Sequence, residues 1–350
     1  MKQVQENLSR LSMDELTTAL IRLGRDPYGM SRKADLVSAV AEALQGHPLE
    51  PLFTVGPEGV VQLRRLLREG TLLQDALVAE LPVVEDSLHL LRGFGLAWHT
   101  RGHWELTPEA KLQLMTLTQQ QMQLLRDHDA LYTAIHGCLN LYGMLKPGEL
   151  LAMMQAAGWP NLEEDGMVRA YMAVCPPGEV VFVPENNAED VYICTDELDD
   201  PAWLYEQLQK APQQPPAIFT REDYHRADIL PGKPEMYLPM QKWLAAQGAS
   251  EAQAEHLLYD LVFAYLNDPE APLSVFATAM LEYAHGKASL APEEQNMLVA
   301  LLEQLPQWTH QGHSLRSLRR AEARTHAVSR DDFCPCGSGR KYGKCCGDFH

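Results

Sequence analysis

Apolar residues recur at three- and four-residue spacing through most of this chain and alternate with polar ones in only two places. Leu16, Ala19, Leu20 and Leu23 hold helical spacing behind Ser12, and Glu15 stands three residues beyond that serine, as in a capping box. Gly24 ends this helix, RDPYGM makes an irregular turn, and Ser31 is placed to cap a second helix carrying Leu36, Val37, Val40 and Leu44. QGHPLEP, with its glycine and two prolines, is expected to be a linker. The pattern then predicts helices over about 57–68, 72–80 and 84–92, with Pro82 as a break. GLAWHTRGHWELT alternates about Arg101–Gly102, which predicts a β-hairpin of 96–98 and 104–106. A helix over 129–141, and one from an Asn161 cap to about Val174, precede EVVFVPENNAEDVYICTD, the second alternating stretch and a second expected hairpin. Between 200 and 312 the Pro-rich gaps APQQPP, ILPGKPE and DPEAP separate apolar runs at 239–247, 252–266, 273–285 and 293–305. A last helix is expected over 314–328. The fold class is therefore mainly α, a multi-domain helical protein with two β-hairpins.

Four of the seven cysteines lie within thirteen positions near the end: Cys334, Cys336, Cys345 and Cys346, in DDFCPCGSGRKYGKCCGDFH. Four thiolates converging on one point suit a tetrahedral soft-ligand metal, zinc above all. Only Phe333, Tyr342 and Phe349 are large apolar groups here, so bound metal would supply most of the folding free energy, about 10–16 kcal/mol for small zinc peptides. A disulfide or redox pair and an iron–sulfur cluster are the alternatives; adjacent Cys345 and Cys346 strain most disulfide pairings. CPCGSGRKYGKCC resembles the SEC-C motif, the zinc-binding tail of the bacterial preprotein translocase ATPase, which also ends many other bacterial proteins. In that tail the fourth ligand is usually histidine, and Cys346 stands in its place. The resemblance covers about residues 331–349 and implies Zn2+ and a partner-docking role. It implies no ATPase, and the chain has no phosphate-loop motif.

Two further layouts carry resemblances. Helix, glycine-containing turn, Arg32–Lys33 and helix, over about 11–45, resemble the SAP module and the N-terminal module of the transcription terminator Rho. Such modules often touch nucleic acid, which implies Arg32 and Lys33 as contacts. Through Leu44, however, six basic residues face six acids, so a packing role is the competing expectation. Three helices followed by LLRGFGLAWHTRGHWELTPEAK resemble a winged helix-turn-helix, and the layout recurs less closely over 125–197. The third helix of the first copy opens with Glu85 and Asp86, and that of the second reads LEEDG. Carboxylates at the base-contacting end repel phosphate, so protein contact or packing is the expected use. The expected domains are 1–47, SAP/Rho-like; 50–118 and 125–197, winged-helix-like; 200–312, helical; 313–330, a basic helix; and 331–350, the zinc knuckle.

The chain has 350 residues and a net charge of −18, which argues against a general polyanion binder. That charge is uneven. Residues 313–344 carry eight basic residues against three acids, and residues 1–312 sum to −22. Arg316, Arg320 and Arg324 fall on one face of the last helix at four-residue spacing, while Arg340, Lys341 and Lys344 sit within the cysteine loop. The expected partner is anionic: an acidic protein surface or the ribosome. No HExxH, GxSxG or GxGxxG motif is present. A four-cysteine site has no open coordination position and is structural. Cys138, Cys175 and Cys194 lie among apolar neighbours as buried small hydrophobes, and Glu163–Glu164 and Asp199–Asp200 are expected at helix starts. MKQVQENLSR has no apolar h-region and no run approaches eighteen apolar residues, so a cytoplasmic protein without a membrane span is expected. The sequence therefore predicts a non-catalytic cytosolic zinc-binding adaptor, with a nucleic-acid-associated regulator as the alternative.

Overall fold

In the computed structural model, Ser12 Oγ accepts from the Glu15 backbone N–H at 3.1 Å and Glu15 accepts from the Ser12 N–H at 2.7 Å. That capping box starts the helix Met13–Arg22 where the sequence placed it. The structure describes residues 1–175, 180–185, 187, 190–211, 214–282, 289–325, 330–334 and 338–345, and only the backbone of 322–325. The chain is mainly helical and divides into two compact units, Met1–Ile135 with Asn161–Val181 and His136–Pro160 with Phe182–His350. Residues 125–197 contribute to both.

In the first unit, α1 (Lys2–Leu8), α2 (Met13–Arg22), α3 (Lys33–Gly46), α4 (Glu50–Arg68), α5 (Asp75–Val78) and α6 (Pro82–Gly93) precede a hairpin. Its strands are β1 (Ala97–Thr100) and β2 (His103–Leu106), paired from Ala97↔Leu106 to Thr100↔His103. Arg101 and Gly102 form the turn with φ of 45° and 85°. An isolated antiparallel bridge joins Gln74 to His103. Then come α7 (Pro108–Thr116), the long α8 (Gln119–Tyr142), which runs on into the second unit's residues, and α10 (Glu164–Met172). One apolar cluster, including Leu8, Leu20, Leu36, Leu63, Leu88 and Leu114, forms the core. The return of α10 to this unit is fixed by polar bonds: Arg22 Nη2 donates to Val174 O at 3.0 Å and Thr54 Oγ1 to Ala173 O at 2.8 Å.

Several element boundaries differ from expectation for local reasons. The linker QGHPLEP is partly helical, because α4 starts at Glu50 and is kinked at Gly56 (φ 74°, ψ 166°). Pro57 drives the residue before it out of the α region, and only glycine takes that positive φ cheaply. Pro82 starts α6 instead of merely breaking the chain, since its missing N–H is no loss in a first turn. Residues 72–80 keep only the single turn α5. Arg32, not Ser31, precedes α3 as its cap, and Glu163, not Asn161, precedes α10.

In the second unit, β3 (Met144–Leu145), α9 (Pro147–Ala156), β4 (Val181–Phe182) and β5 (Tyr192–Cys194) precede the helical run. The expected pairing about 181–194 is a three-stranded sheet, with β5 in the middle, β4 on one side and β3 antiparallel on the other through Met144↔Cys194 and Leu145↔Ile193. Strand β3 is too short to show alternation. The helices are α11 (Pro201–Lys210), α12 (Arg221–Ala227), α13 (Pro234–Ala246), α14 (Glu251–Asn267), α15 (Leu273–Leu281), α16 (Pro292–Leu302) and α17 (Leu315–Thr325). Leu204, Tyr237, Leu258, Phe263, Met280 and Trp308 belong to their common core. Phe263, Tyr265 and Phe276 are buried on these helices, and Tyr259 is half-buried.

Within this unit α8 and α12 approach at backbone distance. A Cβ on Gly137 would lie 1.8 Å from Tyr224 O, so only glycine fits. Beside it Asn140 Nδ2 donates to Ala227 O at 2.9 Å, and the Trp308 indole N–H donates to Asn140 O at 2.9 Å. No helix among the described residues is long and apolar enough to cross a membrane.

Candidate metal centre

The residues around the cysteines form a small looped-back structure built by backbone bonds. Cys334 N–H donates to Arg340 O at 2.7 Å, Tyr342 N–H to Asp332 O at 2.8 Å, and Gly343 N–H to Arg330 O at 2.9 Å. An antiparallel bridge joins Phe333 to Lys341. A 3-10 turn, Tyr342–Lys344, then delivers Cys345, whose N–H donates to Tyr342 O at 3.1 Å. Of the four predicted ligands, Cys334 therefore lies on the first of these paired segments, and Cys345 follows the turn that ends the second. Cys334 is 4 % exposed, although neighbouring Phe333 is 80 % exposed. The apolar ring faces solvent while the thiol is enclosed, the reverse of a hydrophobic core. Ser338 Oγ lies 3.1 Å from Cys345 Sγ, within hydrogen-bond reach of a sulfur. Cys336 and Cys346 lie outside the described residues, and among the described ones no group of three metal-ligating side chains forms. In its chemistry the donor set fits a soft metal.

The predicted basic residues have separate fates. Lys341 Nζ pairs with Asp331 Oδ1 at 2.9 Å, while Arg340 and Lys344 are exposed. On α17, Arg316 is half-buried and donates to Gln304 Oε1 at 3.0 Å, a neutral partner that leaves its charge uncompensated. Arg320 is exposed. Arg319, not singled out from sequence, pairs with Glu303. The side chain of Arg324 lies outside the described residues.

At the N-terminal module, Arg32 makes a two-point ion pair with Asp35, at 2.8 and 2.9 Å, and Lys33 is exposed at the start of α3. On the hairpin, His99 pairs with Asp75 at 2.8 Å and His103 with Glu105 at 2.9 Å. The Arg10 and Arg92 guanidinium groups both lie over the Trp98 ring, at 5.0 and 5.4 Å, and Arg92 also reaches Glu15 at 3.1 Å. Arg32 and Arg92 thus each have a carboxylate within reach. Asp86 is exposed on α6 and Glu85 half-buried in its first turn.

Sequence reasoning missed a titratable cluster in the second unit. His136 Nδ1 lies 2.9 Å from Asp228 Oδ1 and its Nε2 2.9 Å from Asp196 Oδ1. Burial pushes the imidazolium pKa down, but the two carboxylates outweigh burial and hold it up at about 9. His136 lies in an otherwise apolar helix stretch, and its partners are 60 and 92 residues away, so no local signal marks it. In the first unit, by contrast, His128 stacks on Phe53 at 4.6 Å, and burial alone pushes it down to about 4. Burial also pushes the Cys194 thiol up to about 12 and the Cys138 thiol higher still. Asp200 accepts from the Trp203 N–H at 2.9 Å as the α11 cap, which accounts for one of the paired acids.

Residues 332–348 match the SEC-C motif. Over 63 residues of its C-terminal region the chain is also similar, at 35 % identity, to the protein translocase subunit SecA of Caldicellulosiruptor saccharolyticus. That match covers 18 % of this chain, and the chain spans only 7 % of the length of that curated relative. No solved structure matches the chain.

Proposed function

We propose that the protein is a non-catalytic zinc-binding adaptor of the cytoplasm that docks an anionic partner, an acidic protein surface or the ribosome, through its C-terminal tail. The observation that carries this reading is the enclosure of Cys334 in a looped-back segment that matches the SEC-C motif and that, among the described residues, has no apolar core of its own. Cys334, Cys336, Cys345 and Cys346 would hold the ion; bound zinc would supply the tail's folding free energy and no open site for chemistry. Ser338 would donate a hydrogen bond to the Cys345 sulfur, which favours the thiolate. Arg340 and Lys344 then stand exposed around a centre whose four thiolates exceed the charge of the ion. The similarity to a translocase subunit supports a role near protein export, through shared tail chemistry alone.

Elsewhere the chain supplies scaffold. The order α4, Gln74 bridge, α5, α6, β1, β2 supports a winged-helix-like domain, and α2, turn, α3 supports the SAP/Rho-like one. Their use on nucleic acid is the less favoured reading, because the Arg32–Asp35 and Arg92–Glu15 pairs consume positive charge that phosphate would need. The test is elemental analysis joined to capture. Purified protein should hold about one zinc per chain, and Cys334→Ser with Cys336→Ser should remove it. Deleting 331–350 should abolish capture of the partner; a metal-free protein under reducing conditions, or undiminished capture, refutes the reading.

A further inference from the structure

A groove of about 940 Å³ in the second unit lies between the 217–219 segment, the start of α13, and the first turns of α17. Its size falls at the upper end of the roughly 300–1,000 Å³ of ligand clefts. Among its described lining residues are three cations, Lys233, Arg316 and Arg320, and one carboxylate, Glu235. Among the described residues no carboxylate pairs with any of those three cations. Arg316 and Arg320 belong to the basic stretch 313–344, and Lys233 joins them from residues 1–312, which sum to −22. The groove also has an apolar side, with Phe219, Met236 and Pro306 in its lining. Ile218 is 97 % exposed at its edge. Its segment is held in place from both ends: Ala217 N–H donates to Gln311 O at 3.0 Å, and the Thr220 side chain caps α12.

We infer that this groove docks an extended acidic peptide segment of a partner protein, with Lys233, Arg316 and Arg320 taking its carboxylates and Ile218, Phe219 and Met236 taking one apolar side chain. Charge complementarity selects the anion, and the apolar lining selects a peptide over a nucleic acid. A long polyanion would meet the repulsion of a chain of net charge −18, whereas a short acidic segment meets the local cations. The inference deepens the docking reading by naming a second contact, formed by residues 217–321 and separate from the cysteine loop.

The test is fluorescence anisotropy with the full chain and a fluorescein-labelled peptide of aspartates flanking a central leucine. Wild type should bind it, with affinity that falls as salt rises. Lys233→Glu with Arg320→Glu should weaken binding on the order of tenfold or more, and Ile218→Asp should weaken it separately. Both positions are exposed, and an unchanged melting temperature confirms that the variants fold. Cys334→Ser with Cys345→Ser should lose zinc and keep the peptide, so the groove and the zinc tail fail independently. No binding, binding indifferent to the charge reversal, or a labelled single-stranded oligonucleotide held as tightly at the same residues overturns the inference.

Discussion

The His136 clamp makes a pH prediction whose sign is fixed by the structure. Unfolded, the imidazole titrates near its ordinary 6.5; folded, between Asp196 and Asp228, it titrates at about 9. Its folded pKa is raised, so its stabilisation is fully present below 6.5 and is lost as pH rises through 9. Between those limits the native state holds one more proton than the unfolded chain, and stability should fall by about 1.36 kcal/mol per pH unit, about 3 kcal/mol in all. Asp196 runs the other way. Desolvation raises its pKa, but the His136 hydrogen bond and charge lower it further, to below the usual 3.8. Its contribution is therefore present above that value and lost only in acid, and the clamp is at full strength from about pH 4 to 6.5. The assay is unit-resolved hydrogen exchange of α14, at pH 6.5, 7.75 and 9, corrected for intrinsic exchange, because one melting curve over two units need not be two-state. His136→Gln should be less stable at pH 6.5 and should lose the downward slope. A wild-type stability flat from 6.5 to 9, or an equal slope in the variant, would refute the assigned clamp.

Other measurements reach other parts of the molecule. His128 has the opposite sign: burial depresses its folded pKa to about 4, so the first unit should lose up to about 3 kcal/mol as pH falls from 6.5 towards 4, and exchange in α4 should rise there while His128→Phe is insensitive. Gly137→Ala should destabilise the second unit by about 3 kcal/mol or more, since a methyl 1.8 Å from the Tyr224 carbonyl displaces backbone, while the gain in helix propensity is only about 1 kcal/mol; an unchanged melting temperature would contradict the close approach. Alkylation of native protein should spare Cys138, Cys175 and Cys194, and adding a chelator should open the four tail cysteines while the main thermal transition stays in place; rapid native labelling of Cys194, or collapse of that transition, would count against this account.

What the sequence made legible was what local periodicity and short-range chemistry encode. The capping box at Ser12 and the β1–β2 hairpin about Arg101–Gly102 both depend on residues within ten positions of one another. The extra length of α4 was hidden because Pro51 and Pro57 read as breakers, although Pro51 lies in a first turn and the Gly56 kink carries the helix past Pro57. The cluster at His136 was hidden for another reason. A lone histidine in an apolar stretch looks the same whether its ring is buried neutral, as at His128, or held charged by two aspartates. Only the fold, by bringing residues 196 and 228 to the same ring, separates the two.

The same distinction bears on the positive face of α17. The sequence grouped Arg316, Arg320 and Arg324 by spacing alone, which treats a helix as if every side met the same surroundings. Residues 303 and 304 instead divide its cations: Arg319 is neutralised by Glu303, while Arg316 is anchored by an uncharged amide. An anchored but unneutralised guanidinium has lost part of its side-chain freedom before any ligand arrives, so less entropy remains to oppose binding. Lys233, distant in sequence and absent from any spacing argument, is brought to the same groove by α13. The proposed anion-binding surface is therefore defined by which cations, among the described residues, the fold leaves without a carboxylate. Replacing Gln304 by Glu tests that logic without touching an arginine. It would neutralise Arg316 in place and should weaken the acidic peptide several-fold while leaving stability and zinc content unchanged.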